Sequence, residues 1–168
     1  MDTETQEQNP TLARMARLGA DVLASPRMQA LRVFIQHGEV TRYEHCLCVC
    51  YIAMRMAEKM RITIDERSMV RGALLHDFFM YDWHDPSSLR VLHGFTHPKE
   101  ALMTAEKDFK LNAIERDVIR KHMFPLTLSL PAYRETVLVC LADKISALME
   151  TFSMRKALRI ARMCRRVK

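Results

Sequence analysis

Two stretches of this chain place charge where an apolar helix has no use for it. The first, Arg71-Gly-Ala-Leu-Leu-His76-Asp77-Phe78, is an apolar run ending in two adjacent side chains able to bind metal. The second, Val137-Leu-Val-Cys-Leu-Ala-Asp143-Lys144-Ile-Ser-Ala-Leu-Met149, carries a carboxylate at its centre. A carboxylate so placed costs free energy unless it is paired or bound to a metal. A third feature lies upstream. His45, on a helix expected over residues 41–60, aligns with Val49, Ile52, Ala53, Met56 and Met60 at helical spacing, which turns it toward the core. Glu44, Tyr51, Arg55 and Glu58 fall on the opposite side.

The rest of the chain reads as helices. Only 4 Gly, 13 Met and few aromatics within a 49% hydrophobic chain favour an all-α protein over a sandwich or barrel. Residues 1–9 are polar, acidic and expected to be disordered. Pro10 opens a short helix to residue 23; Ser25-Pro26, an N-cap followed by Pro at the first helical position, opens another through residue 36, which Gly38 is placed to end. Thr41-Arg-Tyr-Glu44 spells a capping box. A helix over residues 65–80 carries His76 and Asp77 in its last turns, and residues 81–96 form a loop over the site. Pro98 restarts a helix to residue 109, Asn112-Ala-Ile-Glu115 caps another to His122, and a long helix spans 132–152. A basic helix over 153–168 closes the chain. No convincing strand, repeat or low-complexity tract appears, so one domain is expected, a bundle of about six to eight helices.

The order His45, His76-Asp77, Asp143 resembles the HD-domain superfamily of metal-dependent phosphohydrolases, over roughly residues 40–150. On a helix His76 and Asp77 stand about 100° apart, so both reach one ion only near a helix end or on a tilted axis. Four ligands from three helices leave coordination positions open for water and substrate. His97, in His97-Pro98, and His122, closing Val118-Ile-Arg-Lys-His122, match the two additional histidines of the binuclear branch. The resemblance then implies six ligands, His45, His76, Asp77, His97, His122 and Asp143, with Asp77 bridging two divalent transition ions. Imidazole and carboxylate suit Fe, Mn, Co, Ni or Zn better than an all-oxygen magnesium cage. His93, next to Gly94, is a weaker candidate.

That resemblance implies hydrolysis of a small phosphate ester, a nucleotide being the leading choice, by a metal-activated water that Asp77 orients. Lys144 is the first candidate cation against the phosphate; Arg42 and Arg71 follow, with structural roles as the competing reading. Tyr81 and Trp83 could stack on a base or anchor the loop. The HD pair continues into Phe78-Phe79-Met80 and no Gly-Tyr-Pro follows, unlike the cyclic-dinucleotide phosphodiesterases of the superfamily. Asp82 and Asp85 lie where its mononuclear nucleotidases carry acidic groups. Two alternatives stay open: a di-iron oxygenase of HD type, and a signalling or binding module that keeps metal without turnover.

Five cysteines, an odd count, with no secretion signal read as reduced thiols in the cytoplasm. Cys46, Cys48 and Cys50 fan around their helix and cannot share one ion, so they are expected in or beside the core. No run approaches about 18 apolar residues, so no membrane span is expected. The net charge of +6 is uneven: residues 1–10 carry −3 and residues 153–168 carry +7. Arg155, Arg159, Arg162 and Arg166 form a stripe suited to solvent, a phosphate-rich ligand or an acidic partner. Without interleaved aromatics it argues against a nucleic-acid partner.

Overall fold

The computed structural model describes residues 9–82 and 93–152, with the side chain of His93 outside that set. Residues 1–8 of the expected N-terminal tail (1–9), Trp83, Asp85, most of the expected loop over the site and the expected basic C-terminal helix lie outside the described residues.

Helix α1 (Pro10–Leu18) is capped by Asn9, whose side chain accepts from the amides of Thr11 and Leu12. The helix expected to run to residue 23 breaks at Gly19, and α2 (Ala20–Leu23) follows. A Cβ at Gly19 would lie 2.5 Å from Leu74 Cδ1, so the chain turns there against the core. Helix α3 (Pro26–Ala30) begins at Ser25-Pro26 as expected, then tightens into a 3₁₀ turn, Leu31–Val33. The chain next forms β1 (Ile35–His37), antiparallel to β2 (Val40–Thr41). This corrects the expected helix to residue 36 and the expected absence of strands. Val33, Phe34 and Ile35 favour extended backbone, and Gly38, at φ 59°, forms the hairpin turn instead of a helix stop.

Helix α4 (Arg42–Met60) starts at a complete capping box: Glu44 N donates to Thr41 Oγ1 at 3.3 Å, and Thr41 N to Glu44 Oε2 at 3.0 Å. Its expected two-sidedness fails at both ends. Every side chain from Arg42 through Cys50 is buried, Glu44 included, whereas Met60 is half exposed. The reason is position: α4 packs against α1, α5 (Glu66–Leu75) and α8 (Arg134–Phe152) and is surrounded at its start. Cys46, Cys48 and Cys50 are buried and form no disulfide.

Helix α5 is capped by Asp65 and stops at Leu75, so His76 and Asp77 stand just past its end rather than inside it. Helix α6 (His93–Asp108) begins five residues before the expected start and takes Pro98 into its interior. Helix α7 (Ala113–Lys121) has the expected capping box, Asn112 with Glu115. Gly72 lets α5 approach α7 closely, since a Cβ there would lie 2.9 Å from Val118 Cβ. Arg71, fully engaged by Glu115 (2.6 Å), Asp21 and the carbonyl of Lys110, ties α5 to α2 and α7. Apart from the hairpin, the described residues form an all-α bundle, and no helix among them is long and apolar enough to cross a membrane.

Candidate metal centre

The C-terminal ends of α5 and α7 are built alike. His76 caps α5 and His122 caps α7. His76 Nδ1 lies 2.8 Å from the carbonyl of Ala73, and His122 Nδ1 lies 2.9 Å from that of Ile119. A carbonyl only accepts, so both Nδ1 atoms carry the proton and both Nε2 atoms present lone pairs inward. The two rings meet edge-on at 4.9 Å. His76 Nε2 is buried without a hydrogen-bond partner. A buried acceptor left unmet is costly, and coordination of a cation would satisfy it.

His45, in the first turn of α4, is oriented by a carboxylate instead. Its Nδ1 lies 3.0 Å from both oxygens of Glu150, which also accepts from Ser146 Oγ at 2.8 Å. Its Nε2 faces Asp143 Oδ1 at 3.2 Å. Asp143 and Glu150 sit two turns apart on one face of α8 and clasp the ring from either nitrogen. Burial works against charge on His45, but Glu150 and Asp143 outweigh it and hold the imidazole well above its usual value. Burial likewise raises the Asp143 carboxyl, yet the bond to His45 and the nearby His76 bring it down to about 2.

Asp77 divides its two oxygens. Oδ2 accepts from Gln36 Nε2 at 2.7 Å and lies 3.7 Å from His76 Nε2 and 4.0 Å from His45 Nε2. Oδ1 lies 3.2 Å from His97 Nε2 and 3.5 Å from His122 Nε2, but no hydrogen bond satisfies it. Burial pushes the carboxyl up, while His76, His97 and His122 together pull it well below the carboxylate range. Burial, with His76 and His97 beside it, drops His122 to about 3.

The Nε2 atoms of His97 and His122 stand 2.8 Å apart. Nitrogens bound to one transition ion at about 2.1 Å are separated by about 3.0 Å at a right angle and about 3.4 Å at the tetrahedral angle, so this pair stands slightly closer than a shared ion would set it. Two groups keep their donor atoms within 4.8 Å of one another and could hold an ion: His45, His76 and Asp143, and His76, Asp77 and His122. His97 adjoins the second through its contacts with Asp77 and His122. All six residues singled out in the sequence thus converge on one place, and their donor chemistry fits divalent transition metal.

The expected phosphate cations fare differently. Lys144 Nζ donates to the carbonyls of His122 and Cys140, both at 3.2 Å, beside the cluster but held by main chain. Arg42 is fully buried: Nε donates to Gln36 Oε1 at 3.0 Å, Nη1 to the carbonyls of Phe79 (2.8 Å) and Tyr81 (3.1 Å), and the guanidinium stacks on the Phe79 ring at 3.6 Å. Those contacts bind Arg42 to Gln36 and to the main chain after α5, while its Nη2 is buried without a hydrogen-bond partner.

Sequence reasoning missed Gln36, His37 and Glu150. His37 is half-buried with its ring edge-on to His45 at 5.8 Å; burial and His45 lower its pKa. Glu150 had a readable signal, its two-turn spacing from Asp143. Gln36 had none, because its burial depends on a hairpin that the sequence pattern disguised.

The family model for the HD domain matches residues 42–148, and the chain belongs to the HD-domain family. The match begins at the first residue of α4 and takes in all six clustered residues; Gln36, His37 and Glu150 fall outside it. Membership places the chain in a superfamily of metal-dependent phosphohydrolases, and the histidine–aspartate cluster suits metal binding. No curated protein and no solved structure matches the chain.

Proposed function

We propose that the protein hydrolyses a small phosphate ester, a nucleotide being the substrate class favoured, at a centre of two divalent transition ions. The observation that carries this is the division of labour in Asp77. One oxygen faces His45 and His76, the other His97 and His122, as a bridging carboxylate must. His45, His76 and Asp143 would hold one ion, His97 and His122 the other, and Asp77 both. Bound there, the ions would polarise the phosphate and lower the pKa of a water to supply hydroxide near neutral pH.

The protein's own groups prepare that chemistry. His76 and His122 keep their lone pairs inward because backbone carbonyls hold the opposite nitrogens. Asp77 stays ionised and orients the attacking water. Glu150 fixes the His45 ring and balances charge behind it. Lys144 supplies positive charge beside His122 and can swing to a phosphate by giving up two main-chain contacts. Arg42 acts indirectly, through Gln36. The four described cysteines are buried and form no disulfide, and a cytoplasmic location belongs to the same proposal.

The test is metal content together with turnover. Protein loaded anaerobically with Mn²⁺ or Co²⁺ should release phosphate from a nucleotide and phosphosugar panel and carry two ions per chain. Asp77→Ala should lose both turnover and metal; His122→Ala should keep about one ion. Full activity in Asp77→Ala would overturn the assignment. Oxygen consumption by the iron form without phosphate release would make the protein an oxygenase, and metal retention with neither activity would make it a binding module.

A further inference from the structure

The clustered histidines are not all held from behind by the same kind of group. His76 and His122 turn Nδ1 to neutral carbonyls, those of Ala73 and Ile119. His45 turns Nδ1 to a carboxylate, with both oxygens of Glu150 at 3.0 Å. Glu150 is itself fixed: it is 1% exposed and accepts from Ser146 Oγ at 2.8 Å. It lies outside the stretch that the HD family model matches, so membership of the family assigns it no part. The other nitrogen of His45 meets a second carboxylate, Asp143 Oδ1 at 3.2 Å, with Asp77 Oδ2 at 4.0 Å.

We propose that Glu150 is a positioning residue that acts through His45 and makes the two halves of the centre unequal. The position framed by His45, His76 and Asp143 binds a divalent transition ion first and tightly. The position framed by His97 and His122 fills only at higher free metal. The inference rests on the two-ion reading above and adds an order to it.

A carboxylate behind a metal-binding imidazole fixes the ring and makes the facing nitrogen a stronger donor. A carbonyl does the same with a dipole in place of a full charge, and so does it more weakly. Charge acts in the same direction. Asp143 and Glu150 clasp the His45 ring and Asp77 Oδ2 stands beside it, so a cation there lies among three carboxylates. His97 and His122 share Asp77 Oδ1, and His122 is backed only by the Ile119 carbonyl. One contact opposes this order: Gln36 donates to Asp77 Oδ2 at 2.7 Å and draws on the oxygen that serves the His45 side. A single bond from a neutral amide offsets less than the attraction of two buried full charges. Occupancy of the second position, and hydrolysis with it, then follows the free metal concentration.

Full-length protein loaded with Co²⁺ and titrated with a competing chelator, followed by cobalt absorption, should release two ions in two steps. Their dissociation constants should differ by about tenfold or more. Glu150→Gln keeps the side-chain length and an acceptor for His45 Nδ1 but drops the charge. It should weaken the tight step by about 10–100-fold and leave the weak step within about threefold. Should that variant lose its helical circular dichroism, Ser146→Ala, which unties the Glu150 carboxylate, should weaken the tight step and not the other. His122→Gln should lose the weak step and keep the tight one, which identifies the tight position. Equal steps in wild type would overturn the proposal, as would an unchanged tight step, or two steps weakened alike, in the folded Glu150 or Ser146 variant. So would loss of the tight step in His122→Gln. A wild type that never holds more than one ion would remove the two-ion reading, and this proposal with it.

Discussion

Gln36 Nε2 donates to Asp77 Oδ2 at 2.7 Å, and this bond joins the small hairpin to the centre of the histidine cluster. The orientation of the Gln36 amide is not free. Its oxygen accepts from Arg42 Nε, so its nitrogen must face Asp77. Arg42 is in turn anchored to the carbonyls of Phe79 and Tyr81, just beyond Asp77 in the chain. The effect is to pin one carboxylate oxygen and leave the other aimed at His97 and His122.

Replacing Gln36 by Leu should therefore weaken metal binding without unfolding the protein. Hydrogen-bond partners of metal ligands typically affect affinity by about 10–100-fold. Titration of metal-free protein with Mn²⁺ or Zn²⁺ would measure it, and Gln36→Asn, too short to span the gap, should behave like Leu. An affinity within twofold of wild type would show that Asp77 does not need this support.

Gly72→Ala should damage fold and site together. The added methyl would meet Val118 at 2.9 Å, so α5 and α7 must move apart. Overpacking of this kind costs about 1–3 kcal/mol. Because His76 and His122 cap these two helices, the same shift should separate their Nε2 atoms and lower metal affinity. Thermal melting and metal titration on the one variant test both halves; unchanged values would mean that Val118 yields without moving the helix.

The pH dependence of the metal-free protein follows from the buried groups. His122 sits at about 3 when folded and 6.5 when free, so below 6.5 the unfolded chain binds the proton first. Its contribution is complete above 6.5 and is lost as pH falls from there toward 3. The lowered carboxyls of Asp77 and Asp143 withdraw theirs below the free-carboxyl value of 3.8. His45 has the opposite sign: its pKa is raised, so its contribution is complete below 6.5 and is lost as pH rises through the raised value. Stability of the metal-free protein should therefore peak near pH 6.5. Urea midpoints from pH 4 to 9 would show it, and His122→Gln should flatten the acid side. A monotonic rise from pH 6.5 to 9 would contradict the His45–Glu150–Asp143 clasp.

The features legible in the sequence were those set by near neighbours. The capping boxes at Thr41 and Asn112 form as their spelling implies, because an N-cap and its partner three residues on interact within one turn. Places where a single residue type has two uses misled. Pro98, read as a helix opener, lies inside α6, and Gly38, read as a helix stop, turns a hairpin.

The sequence by itself determined the helical class, the family, and the six residues that gather at the centre, because chain order and the adjacent His76-Asp77 pair are one-dimensional facts. Only the tertiary structure decided how those residues are aimed. The inward lone pairs of His76 and His122 follow from α5 and α7 ending at Leu75 and Lys121, which leaves each capping histidine three residues after the carbonyl that holds its Nδ1. The His45 clasp needs α4 laid against α8, and the Arg42–Gln36–Asp77 relay needs the hairpin folded over the end of α5. Each depends on a hydrogen bond between residues 37 to 105 positions apart or on where a helix stops. A local pattern carries no record of either, since the strength of such a bond is set by the burial that packing creates.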